Sequence, residues 1–273
     1  MNWGRFHMGA HSSSMTSQKH TKINQLLRRW PEGSVGTLGW LKRQGVSAKL
    51  ADWYVRSGWL DRIGSGAFVR GGDKPDWTGG VYALQQQLGM ALHVGARTAL
   101  ELQGRAHFVP LGRKHIMLIS DRPERLPAWF RRHDWSVTVT HRRVTLFVSP
   151  PDESLVPMSC GRYEVLLSTP ERAIMEVIHL ARKNFEIEHA HELVSGLAML
   201  RPGVVQPLLE SCTSAKVKRF FLWSAEQRQH AWFTRLDLSA INLGKGRRQL
   251  YKGGQFSSKY GITVPRSAEL PDV

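Results

Sequence analysis

Ser47, Lys49, Asp52, Trp53 and Arg56 fall on one side of a helical repeat whose other side carries Leu50, Ala51, Tyr54 and Val55. Lysine and serine at such positions reach phosphate oxygens or base edges, and arginine can bind guanine through two parallel hydrogen bonds. Arg62 and Arg70 follow on alternating segments that suit phosphate or minor-groove contact. Lys42 and Arg43, just before the repeat, are placed to clamp a phosphate backbone. Together these residues offer the chemistry of nucleic-acid recognition. Asp52 runs against it, because a carboxylate repels phosphate unless it accepts from a cytosine amine or pairs with Arg56. Trp53 has a second reading, as an anchor against a neighbouring domain or a partner subunit.

The elements that must position these groups are legible around them. Ile23, Leu26, Leu27 and Trp30 have helical spacing, and Pro31 ends that helix. A short second helix is expected from Gly36 to Gln44, with Leu38 and Leu41 inward. Ser47 can cap a third helix, which Ser57-Gly58 terminates. Trp59 to Ile63 alternates like a strand, Gly64-Ser65-Gly66 supplies a turn, and Ala67 to Arg70 returns. Three helices and a β-ribbon in this order form the winged helix-turn-helix plan, in which the third helix enters the major groove. A winged fold used for protein contacts, with its charges solvated, is the alternative.

Beyond the Gly71–Pro75 linker the pattern is mixed. Helices are expected at 81–88, 96–103 and 127–133, and β-rich runs at 91–94, 116–119, 136–140, 144–148 and 162–167. Thr169, Pro170 and Glu171 give a strong helix start. Further helices are expected at 186–200, 204–212, 214–228 and 230–240, before a glycine-rich basic tail. The expected class is α+β: a disordered leader over 1–20, a winged helix-turn-helix domain over 21–72, a larger mixed α/β domain over 77–243 ending in a helical bundle, and a tail over 244–273.

Thirty-eight basic against 22 acidic residues give a net charge of +16, densest for its length in the first 76 residues. Such a field attracts polyanions. A second basic group, Lys216, Lys218, Arg219, Lys245, Arg247 and Arg248, is interleaved with Phe220, Trp223, Tyr251, Phe256 and Tyr260, a mixture that can bind nucleic acid or remain a solvated face.

Catalytic patterns are weak. His189 and His191 lie two apart, poor chelating geometry on a helix, and no HExxH occurs. No GxSxG or Walker loop is present, and Asp152-Glu153 lacks the clustered partners a nuclease needs. Cys160 and Cys212 stand far apart, which suits a reducing cytoplasm. No apolar stretch approaches a membrane span. No cofactor and no metal are expected.

The winged segment GVSAKLADWYVRSGWLDRIGSGAFVR (45–70), then LHVGARTALELQGRAHFVPLG (92–112) and STPERAIMEVIHLA (168–181), resemble in order and spacing the AbiEi-type antitoxins of type IV toxin–antitoxin and phage abortive-infection pairs. The resemblance covers about residues 22–240. It implies a bacterial, cytoplasmic, nucleoid-associated repressor, not an enzyme, that binds inverted repeats of double-stranded DNA in its own promoter. It implies antitoxicity residing in the C-terminal domain, and a nucleotidyltransferase-type toxin countered without a stable complex. Two copies on DNA would be a dimer or cooperatively bound monomers. The alternative is a nuclease-like DNA-processing enzyme with a winged-helix targeting domain.

Overall fold

The structure, a computed structural model, describes residues 22–106 and 112–266. The expected leader over 1–20, part of the 92–112 motif and residues 267–273 lie outside the described residues. The chain divides into two compact units. The first takes Met1–Met90, Leu126–Trp135 and Ser159–Glu164, and the second takes the remainder.

In the first unit, α1 (22–29), α2 (Leu38–Arg43) and α3 (Ala48–Arg56) enclose a core of Ile23, Leu26, Trp30, Leu41, Tyr54 and Phe68. The Ser47 hydroxyl caps α3 by accepting from the Leu50 amide, 3.2 Å away. Strands β2 (Leu60–Gly64) and β3 (Ala67–Arg70) form the antiparallel hairpin, with a bulge between Arg62 and Gly64. The second helix differs from expectation at its start. Gly36–Thr37 is a strand, β1, which pairs with β3 and gives the sheet order β1-β3-β2. Thr37 is extended because its hydroxyl caps α2, accepting from the Trp40 amide at 3.2 Å.

The same unit reaches past the hairpin. The helix expected over 81–88 is α4 (Trp77–Tyr82) continued by a π-helical turn, Ala83–Gln87. Gln87 locks β1 in place: its Oε1 accepts from Thr37 N at 2.8 Å and its Nε2 donates to Val35 O at 2.7 Å. Helix α6 (Ala128–Arg132) packs on β2, where a Cβ on Gly64 would stand 2.6 Å from the Trp129 Cβ. Only glycine allows that approach.

The second unit is built on a five-stranded sheet of order β6-β5-β4-β8-β7. Its strands are β4 (Leu92–Val94), β5 (His115–Ser120), β6 (Thr138–Arg143), β7 (Leu155–Cys160) and β8 (Tyr163–Ser168), the tip of the last two grouping with the first unit. β4 runs antiparallel to β5 and parallel to β8. α5 (Ala96–Leu102) packs against α7 (Pro170–Leu180), which also contacts α8 (Asn184–Gly196), α9 (Pro202–Ser211) and α10 (Ala215–Gln227).

Three expectations are corrected here. Residues 144–148 make only an isolated bridge, Phe147 to Cys212, because the chain leaves the sheet after Val144 donates to Ser120 O. The stretch 230–240 holds two 3₁₀ turns, Phe233–Arg235 and Leu238–Ala240, in place of a helix. The poorly periodic tail contains a small sheet, β9 (Arg248–Gln249), β10 (Gln255–Ser257) and β11 (Ile262–Val264), whose Ile262 and Val264 are buried with Tyr251 and Tyr260.

Candidate nucleic-acid interface

The apolar stripe of α3 turns Ala51 and Tyr54 into the core and packs Leu50 and Val55 against it, so the opposite face is left to solvent. Ser47, Lys49, Asp52 and Arg56 are exposed on that face. Lys49 and Arg56 form no hydrogen bond or ion pair with described residues, which leaves both cationic heads free for an external anion. Trp53 is half-buried and packs on the core beside Tyr54, ring centroids 5.5 Å apart, so its ring is part of the scaffold.

Asp52 is explained by the hairpin. Arg62 on β2 donates from Nη2 to Asp52 Oδ1, and its guanidinium lies 4.8 Å from the Phe68 ring centroid. The partner offered by the sequence, Arg56, is not the one used. Arg43 and Arg70 are partly committed inward: Arg43 donates to Gln87 O at 3.0 Å and Arg70 to Trp30 O at 3.5 Å. Lys42 is exposed. Arg131 and Arg132 on α6 add exposed cations to the same unit; the run AWFRR, which interleaves aromatics with arginines, was the available signal for them.

The second basic group does not form one surface patch. Lys218 and Arg219 are buried on α10. The Arg219 guanidinium donates to four carbonyls, those of Leu243 (2.8 Å), Gly244 (2.9 Å), Gly246 (2.6 Å) and Gly261 (3.1 Å). It is therefore the pin that fastens the small C-terminal sheet to α10, since a buried guanidinium is tolerated only with its donors satisfied. Lys216 donates to His179 O and Ala181 O, and burial lowers its pKa to about 8. Lys245, Arg247 and Arg248 are exposed, with Arg247 5.0 Å from the Phe256 ring centroid. Of the interleaved aromatics only Phe256 is exposed; Phe220, Trp223, Tyr251 and Tyr260 are core.

In the second unit the 92–112 and 168–181 segments meet at a buried charge cluster. Glu176 Oε1 lies 2.9 Å from His93 Nε2 and accepts from Arg172 Nε at 2.9 Å. Its Oε2 accepts from Ser168 Oγ at 2.8 Å and from Ala96 N at 2.9 Å. Burial alone would raise its pKa, but His93, Arg172 and the Ala96 amide hold it at about 2. Ala96 has φ +49°, a left-handed conformation costing about 1–3 kcal/mol for a non-glycine residue. A Cβ on the preceding Gly95 would stand 2.6 Å from Ile119 and 2.7 Å from Glu176 Oε2. Helical periodicity marks the apolar stripe of α7 but not the inward-facing Glu176, two of whose partners, His93 and Ala96, lie about eighty residues away in sequence.

Two cavities open beside this turn. One, of about 530 Å³, is lined by Met117, Val177, Leu180, Ala181 and Phe185, with Arg97, Glu186 and His189 as its polar groups. The other, of about 410 Å³, is lined by Thr98, Arg113, Lys114, His115 and Thr140, with Glu101 as its carboxylate. Ala96, Arg97 and Met117 line both. Among the described residues no cluster of three His, Cys, Asp or Glu side chains could hold a metal ion, and no helix is long and apolar enough to cross a membrane.

Fold and site define a class: an α+β protein whose first unit presents a solvent-facing basic helix beside a β-hairpin. The chain belongs to the AbiEi family of antitoxins. Residues 19–111 match "Transcriptional regulator, AbiEi antitoxin N-terminal domain" and residues 113–265 match "Transcriptional regulator, AbiEi antitoxin, Type IV TA system". Among solved structures, the "Crystal structure of RV2827C protein from Mycobacterium tuberculosis" has a TM-score of 0.55 at 14% identity, over 92% of this chain and 93% of that one, a likeness of fold. A comparison with curated proteins finds no match.

Proposed function

We propose that the protein is a DNA-binding antitoxin and autorepressor of a type IV toxin–antitoxin operon, and that it carries no enzymatic activity of its own. It binds inverted repeats in its own promoter, with α3 in the major groove and the β2–β3 hairpin as the wing. The observation that carries this reading is the pair of uncommitted cations, Lys49 and Arg56, on the solvent face of a helix whose other face is core. Ser47, Lys42, Arg43, Arg62 and Arg70 supply the flanking phosphate contacts in this reading, and the family description supplies the regulatory role. The winged domain over 21–72 makes the DNA contact, and residues 77–243 provide antitoxicity against a nucleotidyltransferase-type toxin without a stable complex. Two copies occupy the repeat, as a dimer or as cooperative monomers, on the nucleoid of a bacterial cytoplasm.

Lys49→Ala with Arg56→Ala tests it. Each residue contributes about 1–3 kcal/mol through a phosphate or base contact, so a mobility-shift titration on the promoter fragment should lose the complex. The melting temperature should stay near that of the native protein because both side chains are exposed. A double variant that binds and represses normally removes α3 from the interface.

A further inference from the structure

We propose that the two cavities flanking Arg97 form a binding site for a nucleoside phosphate, the phosphate on the cationic side and the base in the apolar side. The residues divide accordingly. Arg113, Lys114 and Thr140 border the polar cavity, Thr98 lines it with its hydroxyl bonded to the His115 carbonyl and the Met117 amide, and Arg97 stands on the wall common to both spaces. Arginine and lysine together favour a phosphate group, the first through paired donors and the second as a point charge. Glu101 accepts from Arg97 Nε at 2.8 Å, which orients that guanidinium and offsets one of the three positive charges, so the lining stays net cationic.

The adjoining cavity is apolar where a base would sit. Val177 and Leu180 of α7 and Met117 of β5 form its walls. Phe185, 60% exposed, offers an aromatic face at the rim, of the kind on which bases stack whatever their identity. Glu186, whose Oε2 is spent on the Arg182 and Lys183 amides, and His189, whose Nδ1 lies 3.3 Å from Glu192 Oε2, complete the lining. Both volumes lie in the range of about 300–1,000 Å³ typical of small-molecule sites.

The support under the site is rigid. The left-handed Ala96 and the close-packed Gly95 are held by Glu176, so Arg97 leaves a turn fixed by buried hydrogen bonds. A strained turn clamped by a buried carboxylate, and presenting an arginine between an apolar and a cationic space, is the arrangement of a preorganised ligand site. The nucleoside phosphate could be free or the end of a single strand, and the experiment separates these sources.

Isothermal titration of the full chain with AMP, GMP, CMP and UMP, with adenosine, with inorganic phosphate, and with a 5′-phosphorylated single-stranded RNA hexamer tests the proposal. At least one nucleotide should bind about tenfold or more tighter than phosphate and adenosine do, because both cavities are then filled. Binding of the hexamer without the mononucleotides identifies a strand end as the source and equally supports the site. Arg97→Ala, Lys114→Ala and Phe185→Ala should each weaken that binding by about tenfold, with promoter binding unchanged. Lys114→Ala keeps the test valid should Arg97→Ala fail to fold, since the Lys114 ammonium has no described partner. No binding of any nucleotide or of the hexamer overturns the proposal. Inorganic phosphate binding as tightly as the nucleotides, or folded variants that bind like the native chain, does the same. Loss of promoter binding in the Arg97 or Lys114 variant would assign these cations to the DNA interface and end the claim of a separate site.

Discussion

Asp52 is the residue at which charge and function pull apart. Alone on the solvent face of α3 it would repel a phosphate backbone, yet Arg62 reaches it from the hairpin. Their side chains are 50% and 43% exposed, so the pair contributes at most about 1 kcal/mol to stability. Its effect is on the face: it neutralises the carboxylate and ties the hairpin to the helix. Asp52→Asn should leave the melting temperature nearly unchanged and strengthen promoter binding by about fivefold, the equivalent of about 1 kcal/mol, because it releases the Arg62 guanidinium to a phosphate. Affinity titrations decide it. If Asp52→Asn weakens binding as strongly as Lys49→Ala, the carboxylate reads a base and the phosphate argument fails. The sequence showed Asp52 as an anomaly but named Arg56 as the intramolecular partner. Helical spacing places Arg56 one turn from Asp52, whereas the partner it takes, Arg62, depends on how the hairpin folds back.

At the scale of elements, legibility followed burial pattern. The start of α7 is readable because the Thr169 cap, Pro170 and the apolar spacing agree there, and α5 and β5 are readable from their apolar spacing alone. β7 was not: LVPMSC has no clean alternation and contains Pro157, tolerable because the strand lies at the sheet edge. The small β9–β11 sheet is not legible in the sequence, because its order comes from the buried Arg219 rather than from its own pattern. α7 shows the same limit, since its function as a support depends on Glu176. Removing one partner of such a cluster leaves uncompensated charge, so Glu176→Ala should cost about 3–5 kcal/mol in urea unfolding. The pH dependence has a definite sign. Glu176 titrates at about 2 in the folded chain against an ordinary 4.5, so its stabilisation is full above about 4.5 and disappears as pH falls towards 2. His191, buried beside Ser224 and held near 4 by burial, remains neutral when folded, so stability also declines as pH falls from 6.5 towards 4. Glu176→Gln should make the loss in the lower window shallower, leaving the share of Glu171, whose pKa burial would raise and Arg201 lowers, and should leave the upper one. A variant that loses stability below 4.5 as steeply as the native chain would refute the assignment.

For the whole molecule, a net charge of +16 is too diffuse to identify a site, because it favours any polyanion at low salt. What separates bound cations from spectators is counterion release: each phosphate neutralised steepens the dependence of log K on log salt by about 0.9. Lys49 is exposed on α3 and belongs to the proposed contact, while Lys245 and Arg247 are exposed on the C-terminal segment and do not. Lys49→Ala should therefore reduce the slope by about 1 per bound copy, whereas Lys245→Ala with Arg247→Ala should leave it unchanged. The promoter offers a second reading from the same titration. A loss of about 1 for one half-site that becomes about 2 for the whole repeat in a single transition indicates two copies binding as a unit. Two resolved transitions, each losing about 1, indicate monomers that load in sequence. A slope that responds to the C-terminal cations and not to Lys49 would move the interface off the basic helix altogether, because bulk charge attracts DNA but only contacting residues release counterions.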